Sequence, residues 1–391
     1  MEAVEERPRL VRDEITRLTY LMLGLWGFLL YALGPALPAL RKELDVSRAA
    51  VSLHTTLIAF GAIAVGLAGD RFVVRIGRRA AFWLAAVLIA AAALVLALGP
   101  VIAVTLAAAL VFGVAGALLV AIVQATLADR HGSLAAAAIV EANALATLLG
   151  AAAPFAVALA ILAGSDWRVV FVAAGLLVVP ALGLAYGSVC FPAAPQLAHG
   201  EEPALPRPYW IYWWALLLFV AIEFSVVFWS TDYLESVQGL SASRAAAASS
   251  LFLVGMTVGR VVGGWLAKRV ASERILAVAL GLAALGFLVF WLAPAPLSVL
   301  GLAFTGCGVS VLYPLTLALA IGASGGRTDA ASVRVGFAAG AAIAVAPFLL
   351  GAFADAAGLR AAYSVVPVLI ALGAAALLVA RRQPARPRPV Q

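Results

Sequence analysis

Apolar runs of about twenty residues or more, broken by short polar clusters, fill almost the whole chain. A helix rises about 1.5 Å per residue, so about 20 apolar residues cross the hydrocarbon core of a bilayer. The runs are rich in Ala and Leu and lack period-two alternation, so they predict spanning helices rather than strands. Twelve spans are predicted: 18–40, 48–69, 80–98, 101–128, 134–163, 167–188, 209–234, 244–267, 273–293, 296–322, 331–354 and 360–380. Helix punctuation supports this division. Ser47 and Ser243 stand where N-caps of spans two and eight belong, and span five starts near Ser133, after Gly132. Interior glycines such as Gly259, Gly263 and Gly264 predict close helix packing.

The pattern repeats. Leu44, Ser47, Arg48, Ala49 and Ala50 recur as Leu240, Ser243, Arg244, Ala245 and Ala246. The helices that follow close on Asp70-Arg71 and on Lys268-Arg269. Trp167-Arg168 with Phe171 returns as Leu359-Arg360 with Tyr363, and Pro154-Phe155 as Pro347-Phe348. Two copies of one bundle are therefore expected, over residues 1–188 and 208–391, joined by a linker at 189–207. The linker holds several prolines, His199 and the pair Glu201-Glu202. Six spans per copy is an even number, so both copies enter the membrane from one side as a parallel repeat. The fold class is an all-α membrane protein of twelve helices in two six-helix bundles. The Pro- and Arg-rich tail after Arg382 is predicted to be disordered.

Composition sharpens this reading. Hydrophobic residues make up 65%, charged residues 12%, and the mean hydropathy is +1.08. A soluble domain would carry about twice that charge. The first apolar run is too long for a signal peptide, and its leader mixes Glu2, Glu5 and Glu6 with Arg7 and Arg9. Of the 26 Lys and Arg, 19 fall on the side of the N-terminus, six on the other side, and Arg260 within a span. That bias places both termini in the cytoplasm of an inner (plasma) membrane, and it makes the net charge of +7 a topology signal rather than a nucleic-acid one. Cys190 and Cys307 are too far apart in sequence to suggest a disulfide framework or metal spacing.

After span two the chain reads Gly66-Leu-Ala-Gly-Asp70-Arg71-Phe-Val-Val-Arg75-Ile-Gly77-Arg78-Arg79. This resembles the signature loop of the major facilitator superfamily, with a longer insert before the second glycine. The equivalent loop in the second half, Gly264-Trp-Leu-Ala-Lys268-Arg269, carries lysine in the acidic place. The resemblance implies alternating access. It also implies that Asp70 latches onto the start of span eleven, where it could pair with Arg334. Arg71 and Arg78 could pair with Asp129 at the end of span four. Glu223, Trp229, Tyr233, Gly239, Gly255, Gly259 and Arg260 in spans seven and eight are similar to the fucose-permease-like sugar–proton symporters. In those permeases important carboxylates lie in spans one and four. Here span one has none between Leu18 and Leu40, and span four offers Gln124 before Asp129.

Charged groups inside spans cost several kcal/mol unless paired or wet, which makes each a candidate for function. Glu141 and Arg260 each lie about 12 Å from the cytoplasmic side, and a pair between them would close an inner gate. The alternative is a partner for each within its own half. His54, about 10 Å into span two, could complete an outer gate with Asp232, or simply be packed and hydrogen-bonded. Glu223 lies about 21 Å from the cytoplasmic entry, where a carboxylate is costly to ionise, and is expected to serve substrate or proton. Phe228, Trp229, Trp26 and Tyr31 could stack on a solute or fill the core. Trp210, Tyr212, Trp213 and Trp214 read as an interfacial belt.

There is no phosphate-binding loop and no paired-cysteine site, and the chain holds three histidines, His54, His131 and His199. An enzyme and a cofactor are therefore not expected. The partners are a small-molecule substrate, protons and the lipid bilayer, not nucleic acid. Proton-coupled uptake of a small polar, sugar-like solute is the leading expectation. Efflux of amphipathic compounds is the alternative, and a non-transporting membrane sensor is the second.

Overall fold

In a computed structural model of the chain, the residues described are 10–192, 205–267, 269–325 and 328–381. Most of the linker and all of the tail lie outside them, as do the side chains of Asp70, Ser133 and Lys268. The described residues form helices and no strand. Twelve helices are long and apolar enough to cross a membrane. They are α1 Glu14–Glu43, α2 Arg48–Ile76, α3 Arg78–Leu98, α4 Ile102–His131, α5 Ala135–Leu162 and α6 Arg168–Tyr186. The second six are α7 Arg207–Ser236, α8 Ala242–Leu266, α9 Ser272–Leu292, α10 Ala295–Gly322, α11 Thr328–Ala357 and α12 Leu359–Ala380.

The chain divides into two compact units. Unit 1 holds residues 1–36 and 60–198; unit 2 holds 37–59 and 199–391. The far end of α1 and the first turns of α2 thus pack with α7–α12. Within unit 1, α3 packs on α4. Trp26 of α1 lies on Phe112 of α4 with ring centroids 4.5 Å apart, over Gly116, where a Cβ would stand 2.0 Å from the indole. Within unit 2, glycines bring α8 against α10. A Cβ at Gly255 would meet the Ala303 carbonyl at 2.0 Å, and one at Gly259 the Cys307 carbonyl at 2.4 Å. Gly263 packs on Val311 in the same way, but Gly264 faces open space and is no packing glycine.

Two helices are irregular in their middles. A single π-helical stretch, Ala174–Val178, interrupts α6. In α10 the helix breaks at Ser310 and Val311, between Ala295–Val309 and Leu312–Gly322. Pro314 explains this second break: it has no N–H to return to the Ser310 carbonyl four residues earlier.

The aromatic start of α7 is only partly a belt. Trp210 and Trp214 are exposed. Trp213 instead donates through Nε1 to the Arg334 carbonyl at 2.7 Å, and Tyr209 donates to the Ala331 carbonyl at 2.8 Å, tying α7 to α11.

Candidate functional site

Three polar clusters interrupt the apolar framework. The first, in unit 1, gathers where the chain enters α1, α4 ends and α5 begins. Asp13 is the N-cap of α1: Oδ1 accepts from the Thr16 amide at 3.1 Å and from its hydroxyl at 2.6 Å, while Arg130 reaches Oδ2 at 2.7 Å. Thr16 Oγ1 also lies 2.9 Å from His131 Nε2. Burial opposes ionisation of Asp13, but the Thr16 hydrogen bonds and Arg130 outweigh it and hold the carboxyl below its usual range. Arg12 grips Glu141 with both arms, Nε to Oε2 at 2.9 Å and Nη2 to Oε1 at 2.7 Å. The Glu141 hydrogen bond and charge raise the Arg12 pKa. Tyr20 donates to Glu141 Oε2 at 3.3 Å. Nearby, Arg78 Nη1 meets Asp129 Oδ2 at 2.7 Å, as expected, with the Arg78 side chain 3% exposed. Arg71 is exposed.

Glu141 and Arg260 each have a partner inside their own unit. Glu141 takes Arg12 and Tyr20. Arg260 places Nε 3.4 Å from the Ser310 carbonyl, the one that Pro314 leaves without its helical donor. Arg12 precedes α1, in a segment the span pattern did not include.

The second cluster is built around Glu223, at the middle of α7 and 7% exposed. The charge of Arg260 acts on it, and its own charge acts on Tyr313. Tyr313 directly precedes the proline that breaks α10. A buried carboxylate thus shares one region of unit 2 with an arginine seated on an interrupted helix. Broken spanning helices expose backbone carbonyls where they line a site.

The third cluster is in unit 2, where α1 ends and α2 begins. Asp232, 2% exposed, receives Arg48 Nε at 2.8 Å and lies 3.8 Å from Arg41 Nη2. Lys42 pairs with Glu235. Asp355 of α11 accepts from the backbone amides of Arg48 and Ala49, each at 2.8 Å. Thr56 donates to the Ala344 carbonyl at 2.6 Å, and Trp229 Nε1 to the Pro347 carbonyl at 2.9 Å. His54 is placed in the second turn of α2. It is buried, and its Nδ1 lies 2.7 Å from the carbonyl of Val51. One turn of helix satisfies that nitrogen locally, while the longer Arg48 reaches the carboxylate.

The aromatic candidates divide the same way. Phe228 and Trp229 are buried, and Trp229 fits over Gly351, so both pack rather than face open space. Trp26 and Tyr31 are half-buried, with Tyr31 over Gly150. Gln124 is exposed on α4, as is Asn143 on α5, which the sequence reading passed over. Asp70 has no described side chain, so its latch with Arg334 lies outside the described residues. Arg48, Arg12 and Asp355 were missed as partners. Arg48 carried a visible signal, since it is the charge nearest the start of α2 on the Asp232 side.

The family model of the Major Facilitator Superfamily matches residues 19–324 and 248–391. No curated protein matches the sequence. Among solved structures, a bacterial homolog of the human lysosomal transporter Spinster, inward-facing and unoccupied, is similar with a TM-score of 0.78 at 13% identity, covering 96% of this chain and 98% of that one. The same homolog, inward-facing and occupied, gives 0.78 at 17% identity, covering 96% and 98%. The nucleoside transporter NupG gives 0.71 at 11% identity, covering 95% and 99%. At such identities the likeness concerns the fold. The family match itself spans most of the sequence, and the chain belongs to the Major Facilitator Superfamily of multi-pass membrane transporters.

Proposed function

We propose that the protein moves a small polar, sugar-like solute inward by alternating access, driven by protons, with Glu223 as the coupling carboxylate. The carrying observation is the burial of Glu223 at the middle of α7, under the charge of Arg260 at the break of α10. A carboxylate at that depth is cheapest to move when protonated, and it can accept hydrogen bonds from solute hydroxyls when ionised. Exposed Gln124 and Asn143 on apolar spanning helices support a wet, polar path, because a carboxamide facing lipid is costly. The likeness of α7 and α8 to fucose-permease-like symporters supports a sugar-like solute. In this reading the membrane is the inner (plasma) membrane and both termini are cytoplasmic, following the arginine bias.

The test is uptake of a panel of sugars and related polyols into proteoliposomes, with and without an inward proton gradient. Gradient-driven accumulation of one of them is expected for the natural protein. With Glu223→Gln, accumulation is lost while exchange of that solute down its own gradient persists. Accumulation by Glu223→Gln at the natural rate and pH dependence removes the coupling role.

A further inference from the structure

We propose that Asp355 is a positioning residue of the transport cycle: it clasps the first turn of α2, and release of that clasp permits the end of the molecule at the α1–α2 turn to open. The inference rests on the alternating-access reading and extends it to groups that reading does not use.

The first four amides of a helix have no partner within the helix. In α2 three of them, those of Arg48, Ala49 and Ala50, find partners outside the ladder. Val51 makes the first ladder bond, to the Ser47 carbonyl at 3.0 Å, and Ala50 donates to Ser47 Oγ at 3.1 Å. Arg48 and Ala49 donate to the two oxygens of Asp355, each at 2.8 Å. Two of these three capping bonds therefore come from another helix, as a carboxylate placed on the positive end of the helix dipole. Gly351, one turn before Asp355, makes the approach possible, since a Cβ there would stand 2.9 Å from the Arg48 carbonyl. Once the turn is seated, the Arg48 side chain reaches Asp232 on α7.

Folding of a helix does not require this arrangement. The second copy of the motif starts α8, whose N-cap Ser241 makes no side-chain cap, and its Arg244 is exposed. Release is also cheap at Asp355. That residue is exposed, so water can take over its oxygens and the two amides when they separate. Asp232 is the opposite case, buried and dependent on its arginines. The exposed carboxylate is thus suited to set the balance between closed and open, and the buried one to make closure selective.

The contact lies within unit 2. Residues 37–59 cluster with α7–α12, while the remainder of α1 and α2 clusters with α3–α6. Opening at this end in the alternating-access reading separates Arg48 and Ala49 from Asp355 and uncovers Val51. Val51 is 0% exposed and sits among Leu37, Arg41, Phe228, Trp229 and Asp232.

The experiment places Val51→Cys in a Cys190→Ser, Cys307→Ser background. It then follows labelling by a membrane-impermeant maleimide in proteoliposomes, which needs no known substrate. Asp355→Asn is expected to speed labelling several-fold, and Asp355→Glu to return it toward the parent rate. Ala49→Pro removes one donated amide without altering any clasp side chain, at a first-turn position where proline is tolerated, and is expected to act like Asp355→Asn. It decides the matter if Asp355→Asn does not fold. Equal, finite labelling in parent, Asp355→Asn and Ala49→Pro overturns the clasp alone. No labelling in any of them overturns the clasp together with the alternating-access reading.

Discussion

The two copies of the Leu-x-x-Ser-Arg-Ala-Ala motif meet different fates. In the first, Ser47 is the N-cap and its hydroxyl accepts from Ala50 at 3.1 Å. Arg48 lies against Asp232, and the turn is held by Asp355. In the second, the helix starts earlier, at Ala242, so Ser243 sits inside the first turn and is not the expected cap. Its hydroxyl lies 3.4 Å from that of Ser241, and Arg244 is exposed. The same residues are a docking surface in one copy and plain helix start in the other. The lesson is that a repeat fixes helix order and direction, while the partners across from it decide what each copy does.

The comparison can be broken most forcefully at the arginines. Arg48→Ala leaves Asp232 buried with Arg41 3.8 Å away and without its close partner, and a loss of about 3–5 kcal/mol is expected for a buried pair stripped of one member. Arg244→Ala is expected to stay within about 0.5 kcal/mol. Thermal unfolding of both purified variants in detergent measures the gap, and equal midpoints would erase the distinction. The next largest effect lies at the glycines. Gly351→Ala must push aside Trp229, 2.7 Å from the new Cβ, and the Arg48 carbonyl. That overpacking costs about 1–3 kcal/mol. Gly264→Ala, with nothing within 4 Å, is expected to be neutral or slightly stabilising by the same melt. The smallest effect separates the serines. Ser47→Ala loses a cap of about 1 kcal/mol, whereas Ser243→Ala changes nothing measurable. A larger loss at Ser243 would show that the second copy also docks.

Run length and the repeat made the helices readable, because the bilayer sets a length and the chain has few ways to meet it. Boundaries moved most at polar ends: α1 extends to Glu43 through Arg41 and Lys42, and α2 runs on through the signature segment to Ile76. Candidate residues were readable as isolated polar groups in apolar spans, and Glu223, Glu141, Arg260 and Asp232 all prove to be in polar clusters. Their partners were less legible. Glu141 met Arg12 from before the first span, and Asp232 met Arg48, 184 positions away in sequence. Helix spacing relates residues three or four apart; it carries no information on which helix stands opposite. The α10 break was legible in principle, because Pro314 lies well inside an apolar run.

The division of the chain into units has a consequence for cutting and rejoining it. The backbone passes between units at 36–37, 59–60 and 198–199, and two of those passages lie inside the continuous helices α1 and α2. A cleavage in the central linker severs one passage and leaves two. A first-half fragment expressed alone would therefore display residues 37–59 as a bare hairpin carrying Arg41, Lys42 and Arg48. A second-half fragment would display the acids that fit it, Asp232, Glu235 and Asp355. Made together, the fragments own a built-in adhesive, so complementation from separate genes should depend on that hairpin more than on the linker that nature uses to join them.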